Sequence, residues 1–219
     1  LKITGCAKEG LYAIGTLIES SVELFGIASN CTSDQSLPQV HLGVNGAATV
    51  RNFEMRSGYL NNPSQAVGAH MLNCDGVSDL SLSSVNFEQG TSYVKFDNAA
   101  NRNVTLANCN FSGDGAQEAA TDAVLTVKRL AGLRIVGGRI GSGAYRGSGI
   151  DLTSTGSGQV SDINIDSGVT FRTTLANKIK QGASSFAKVF QEITTTTPSV
   201  VGFRYWKTNN AGTITNFTG

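Results

Sequence analysis

Apolar and polar residues alternate in short runs that recur along the chain. Phe53-Glu54-Met55, Leu80-Ser81-Leu82, Val104-Thr105-Leu106, Leu133-Arg134-Ile135 and Ile163-Asn164-Ile165 each read apolar, polar, apolar. Their starts lie 27, 24, 29 and 30 residues apart, and an earlier copy, Val22-Glu23-Leu24, starts 31 residues before Phe53. One further apolar residue follows each of the five: Leu60, Phe87, Phe111, Ile140 and Phe171. A second alternating run precedes each: Val40-His41-Leu42-Gly43-Val44, Ala69-His70-Met71-Leu72, Val94-Lys95-Phe96-Asp97, Leu125-Thr126-Val127 and Ile150-Asp151-Leu152. Alternation over so few residues predicts half-buried strands. Between paired runs stand Asn45-Gly46, Asn73-Cys74-Asp75-Gly76, Asn98 and residues 154–158, which tolerate the left-handed backbone of tight turns.

The repeating unit is therefore strand, turn, strand, short third segment and loop. A unit this small cannot bury its own apolar face, whereas stacked copies line a common interior. The pattern predicts an all-β fold, a right-handed single-stranded parallel β-helix of about five to six rungs over residues 1–193. Residues 194–219 read as a linker and the start of a β-rich capping or trimerisation segment. An antiparallel sandwich also has short strands at turn-rich spacing; the near-constant recurrence of one two-strand pattern favours the solenoid. The residue before each second strand is Asn52, Asp79, Asn103, Gly132 or Asp162. Stacked at one corner, such side chains satisfy backbone groups of the turn, a structural role that takes Asp79 and Asp162 out of the catalytic candidates. Residues 175–181 have helix-compatible composition with Gly182 as a stop. Residues 186–193 fit either a helical face or a closing rung, and residues 200–206 form an apolar, β-rich run.

Composition narrows the function. The 219 residues include 26 Gly and 3 Pro, only 15% are charged, and the formal net charge is +1. An apolar share of 40% is too high for a disordered chain. No apolar run reaches the 18 residues of a transmembrane helix, and no Lys/Arg stripe marks a nucleic-acid footprint. Cys6, Cys31, Cys74 and Cys109 lack zinc-ligand spacing and read as small hydrophobes, although an even count also permits two disulfides. Neither Asp34, Asp75 nor Asp114-Gly115 lies in a loop with regular calcium-ligand spacing. No metal or cofactor is expected. Without a Met or a signal-like segment at Leu1, the chain reads as a portion of a longer polypeptide, and its three Asn-x-Thr sequons as chance.

The rungs resemble the pectate-lyase-like parallel β-helices. The tail, Trp206-Lys207-Thr208-Asn209-Asn210 with Thr213-Ile214-Thr215-Asn216-Phe217-Thr218-Gly219, is similar to the segment that follows the β-helix in bacteriophage tailspike and appendage proteins. The resemblance implies a virion protein acting at the host surface. It implies a homotrimer joined to other tail proteins, while charge and hydropathy predict no nucleic-acid partner and no membrane insertion. It further implies a protein that binds bacterial surface polysaccharide and often cleaves it. Fold alone does not license that activity, and the family has no universal catalytic motif.

On such a solenoid the middle residue of each run points outward. The first-strand outward row is then His41, His70, Lys95, Thr126 and Asp151; the second-strand row is Glu54, Ser81, Thr105, Arg134 and Asn164. Glycoside hydrolysis needs two carboxyl groups about 5–9.5 Å apart, and rungs are ~4.8 Å apart. Glu54, Glu88 and Asp97 are the candidates, Glu54 first because Arg56 shares its face. A polysaccharide lyase would instead need a base and a cation beside a uronate. For that chemistry, and for substrate contact in general, Arg56, His41, His70 and Lys95 are the candidates. Tyr145, in a Gly-rich loop, is an expected sugar platform. The readings are thus a hydrolytic depolymerase, a non-catalytic receptor-binding or structural appendage, and a lyase.

Overall fold

A computed structural model describes residues 2–3, 9–27, 36–44, 47–62, 69–90, 92–112, 123–141, 147–153, 160–166, 168–172, 175, 177–181, 188–194, 201–207 and 213–214. Among them there is no helix. Strand β1 (Lys2–Ile3) precedes a series of three-stranded rungs. The first rung is β2 (Leu11–Ala13), β3 (Leu17–Glu23) and β4 (Gly26–Ile27). The next two are β5 (Val40–Leu42), β6 (Val50–Arg56) and β7 (Tyr59–Asn61), then β8 (Leu72–Cys74), β9 (Val77–Ser83) and β10 (Asn86–Glu88). In the following two, one bent strand serves as both first and second: β11 (Val94–Ala107) with β12 (Asn110–Ser112), and β13 (Ala123–Val136) with β14 (Arg139–Ile140). Then come β15 (Ser148–Leu152), β16 (Val160–Ile165) and β17 (Thr170–Phe171), and a last partial rung of β18 (Asn177–Gln181) and β19 (Lys188–Thr194).

Equivalent strands pair in parallel from rung to rung, which makes the chain a β-solenoid with the architecture of a parallel β-helix. The register repeats the sequence alignment. Phe53, Leu80, Val104, Leu133 and Ile163 are consecutive partners. All five are at most 3% exposed. Leu60, Phe87, Phe111 and Ile140 form the inward column of the third sheet, with the Phe87 and Phe111 rings stacked 4.7 Å apart. Val40, Leu72, Val94, Leu125, Ile150 and Ile179 form that of the first. Burying each such side chain stabilises the fold by about 1.5–3 kcal/mol before entropy is charged against it. Cys74 lies in the column between Leu42 and Phe96, a free buried thiol packed as a small hydrophobe. Cys109 is likewise free and buried, and burial pushes its thiol up to about 11. Cys6 and Cys31 lie outside the described residues.

Two expectations need correction, and one left open is decided. Residues 177–181 are strand β18, not helix: Ile179 takes its place under Ile150, fully buried. The free edge of β15 offers parallel pairing, and tertiary pairing overrides a weak local propensity. Residues 188–194 are the closing strand β19. The first-rung copy is shifted by two residues, since Val22 partners Met55 and Ser20 partners Phe53. Leu24, taken as inward, is 70% exposed with φ 50°. Beyond the last rung, β20 (Val201–Lys207) pairs antiparallel with β19, and β21 (Thr213–Ile214) pairs antiparallel with β18. The tail thereby adds reversed strands at the end of the stack.

The recurring polar position has a backbone cause. Asn52, Asp79, Asn103 and Asp162 have φ of 50°, 60°, 53° and 57°, and Gly132 has 85°. The register stacks them in one column, headed by Glu19 at φ 54°. Asn, Asp and Gly are the residues that enter the left-handed region at least cost. Each one bends its strand at the same point, so the bend continues along the stack as an edge.

Candidate functional site

Along that bend runs an open groove of about 390 Å³. One wall is the column Asp79, Asn103, Gly132 and Asp162; the floor is the outward row Ser81, Thr105, Arg134 and Asn164. The four floor residues are consecutive register partners, so they repeat at the ~4.8 Å strand spacing. Ser78 Oγ donates to Asp79 Oδ2 at 2.6 Å, and Asn103 Nδ2 donates to Oδ1 at 2.9 Å. These bonds hold the Asp79 carboxyl below the usual carboxylate range, with Arg102 adding to the effect. Asp79 is thus an acceptor or base, not a proton donor, near neutral pH. Asp79 and Asp162 are three rungs apart, ~14 Å, too far for the two carboxyl groups of a glycosidase. The groove offers hydroxyls, carboxamides, one guanidinium and two carboxylates in a row, and these suit an extended, hydroxyl-rich ligand.

The candidate carboxylates do not meet. Glu54 is on the second sheet, as the register partner of Ser81 one rung before the groove floor. Arg56 Nε lies 3.3 Å from its Oε1. Glu88 is on the third sheet, accepting from Asn61 Nδ2 at 3.4 Å. Asp97 lies where β11 leaves the first sheet, 3.4 Å from Lys95 Nζ and 3.7 Å from Arg129 Nε. Three acids on three sheets form no pair within one chain. Tyr145 lies outside the described residues, as do Asp34 and Asp114.

The first-strand row is corrected at one place. The register runs Tyr12, His41, Asn73, Lys95, Thr126, Asp151 and Lys180. Asn73 holds the position expected for His70, because β8 begins at Leu72 and Met71 turns inward before it. The two histidines are therefore not equivalent. His41 Nε2 meets Asp75 Oδ2 at 3.0 Å, with Glu9 Oε1 4.0 Å from Nδ1 and the Tyr12 ring edge-on at 5.2 Å. His70 instead reaches across to Thr126, with Nε2 3.2 Å from Oγ1. Burial, aided by Lys95 and Lys128, pulls its imidazole down to about 4. His70, Asn73 and Lys95 share a small cavity.

Sequence reasoning missed Asn101. It is buried, accepts from the Gly76 and Val77 amides at 3.0 Å each, and donates to the Cys74 carbonyl at 2.9 Å. No periodic signal marks it, since it occurs at a single corner. Among the described residues no cluster of three or more His, Cys, Asp or Glu could hold a metal ion. Among them, too, no helix is long and apolar enough to cross a membrane. Comparison of the chain with known protein families, curated proteins and solved structures finds no match.

Proposed function

We propose that this chain is a segment of a phage-type tailspike or appendage that binds host bacterial surface polysaccharide along the second-sheet groove. The single observation that carries the reading is the groove itself, whose polar floor repeats once per rung across four rungs. A polymer with a regular hydroxyl pattern matches a site with a regular donor and acceptor pattern. The tailspike assignment, the trimer and the virion location rest on the tail resemblance given above. The antiparallel strands β20 and β21 at the end of the stack suit a segment that closes the solenoid.

Calorimetric titration against a panel of purified bacterial surface polysaccharides tests it. At least one polysaccharide is expected to bind saturably. Thr105→Trp, which fills the groove floor, should weaken that binding by at least about tenfold, or 1.4 kcal/mol. No binding across the panel, or equal binding by the variant, would overturn the proposal.

Hydrolysis is the second reading, favoured by Glu54 continuing the floor row beside Arg56. It needs a second carboxyl group 5–9.5 Å away. Asp79, two residues from the register partner of Glu54, is one source, and a neighbouring subunit is another. Reducing ends released from the bound polysaccharide by the protein, and not by Glu54→Gln, would establish it. Absent release with binding retained leaves a receptor-binding appendage.

A further inference from the structure

The second cavity lies on the outer side of the first sheet, on a different sheet from the groove. It measures about 160 Å³ and is lined by Ser36, Pro38, Ala69, His70, Asn73 and Lys95. Two of its groups define a ligand. The first is the Lys95 ammonium. Its neighbour Asp97, at 3.4 Å, is shared with Arg129. Lys128 also acts on His70 from nearby. The other acid, Asp75, is engaged by His41 at 3.0 Å and by Asn73 Nδ2 at 2.8 Å. Asp97 is thus divided between Lys95 and Arg129, and Asp75 between His41 and Asn73, which leaves the Lys95 ammonium able to take a further anion. The second group is the Asn73 carboxamide oxygen, a buried acceptor with no hydrogen-bond partner among the described residues. Buried acceptors are ordinarily satisfied, so the position calls for a donor. His70 stays neutral at neutral pH and adds a hydrogen-bonding ring without a charge.

We propose that this cavity is a subsite for a carboxylated sugar, which places its carboxylate on Lys95 and donates a hydroxyl to Asn73 Oδ1. A neutral sugar leaves the ammonium with only the Asp97 carboxylate that it shares with Arg129. A simple carboxylate leaves the Asn73 oxygen without a donor. A sugar acid supplies both from one ring. The proposal goes beyond the groove reading and does not depend on it, because the two sites occupy different sheets.

The test is titration of the isotopically labelled full chain with sodium glucuronate, glucose and sodium acetate, followed through the Asn73 side-chain amide and the His70 ring resonances. Glucuronate is expected to shift both saturably and to bind at least about tenfold more tightly than glucose or acetate. Lys95→Met and, separately, Asn73→Leu should each weaken glucuronate by about tenfold or more while the melting temperature is kept. Thr105→Trp should leave glucuronate binding unchanged, which separates failure of this site from failure of the groove. Equal binding of the three probes, no saturable shift at His70 and Asn73, or Lys95→Met binding like the parent chain would overturn the proposal.

Discussion

The first and second sheets stack in parallel over the same rungs, and both turn an apolar column inward, yet they differ in what fixes their register. Second-sheet strands such as β6 and β9 are seven residues long and carry two inward residues after a left-handed corner residue. That marker allows one alignment, because a shift of one residue would put Asn52 or Asp79 in the core. First-sheet strands β5 and β8 are three residues long and carry no such marker. In a short strand, alternation alone permits a slip, and His70 took the place of Asn73. The lesson extends to the outer faces. Both outward rows are polar and periodic, but the second sheet's row lines an open groove while side chains of the first sheet are engaged in local pairs: His41 with Asp75, His70 with Thr126, Lys95 with Asp97.

If both sheets hold one core, equivalent truncations should cost alike. Leu82→Ala on the second sheet and Leu72→Ala on the first, each fully buried, should each lose about 2–5 kcal/mol in urea unfolding. A Leu72→Ala loss under ~1 kcal/mol would mean that the first sheet does not carry a close-packed column. Asn101 joins the two sheets at the third rung, so Asn101→Ala should cost about 3 kcal/mol by leaving two amides and a carbonyl unsatisfied. A loss no larger than that of an exposed substitution would show that this corner is not held by its side chain.

The His70 cluster should give the first sheet a pH dependence that sets in nearer neutrality than the one linked to the lowered Asp79 carboxyl at the second-sheet corner. The folded pKa of His70, about 4, lies below the ordinary 6.5. The unfolded chain therefore binds the extra proton as pH falls below 6.5, and stability present in full above that pH is lost progressively towards pH 4. The loss attributable to His70 should be at most about 3 kcal/mol. Its measure is the difference between the parent chain and His70→Gln in denaturant midpoints from pH 7 to pH 4. Parallel curves for the two would remove His70 from the account. The smallest effect is expected at the exposed Glu54–Arg56 pair, where Arg56→Ala should change stability by under ~1 kcal/mol. A larger loss would mean that the pair is held by more than its ion contact.

Much of the fold was legible because stacking makes each rung repeat the same demands. The inward columns from Phe53 to Ile163 and from Leu60 to Ile140, the corner column and the groove floor all follow from spacing. What occurs once was not legible. Asn101 answers two amides at one corner, and Ile179 joins the core only because β15 offers an edge. The groove as a site was half legible. Its floor row was read from the strands, but Asp79 and Asp162 were set aside as corner residues, and the corner is the groove wall. Glu88 and Asp97 were judged by alternation alone, which gives inward or outward but not which of three sheets a side chain leaves.

The central claim is that an extended glycan lies along the second-sheet bend. A crystal structure of the chain with an oligosaccharide cut from whichever polysaccharide it binds tests this most directly. The account predicts sugar rings in sequence over Ser81, Thr105, Arg134 and Asn164, with Asp79 and Asp162 along one side. An oligosaccharide bound instead on the third sheet, or on the first sheet with the second-sheet groove empty, would contradict it.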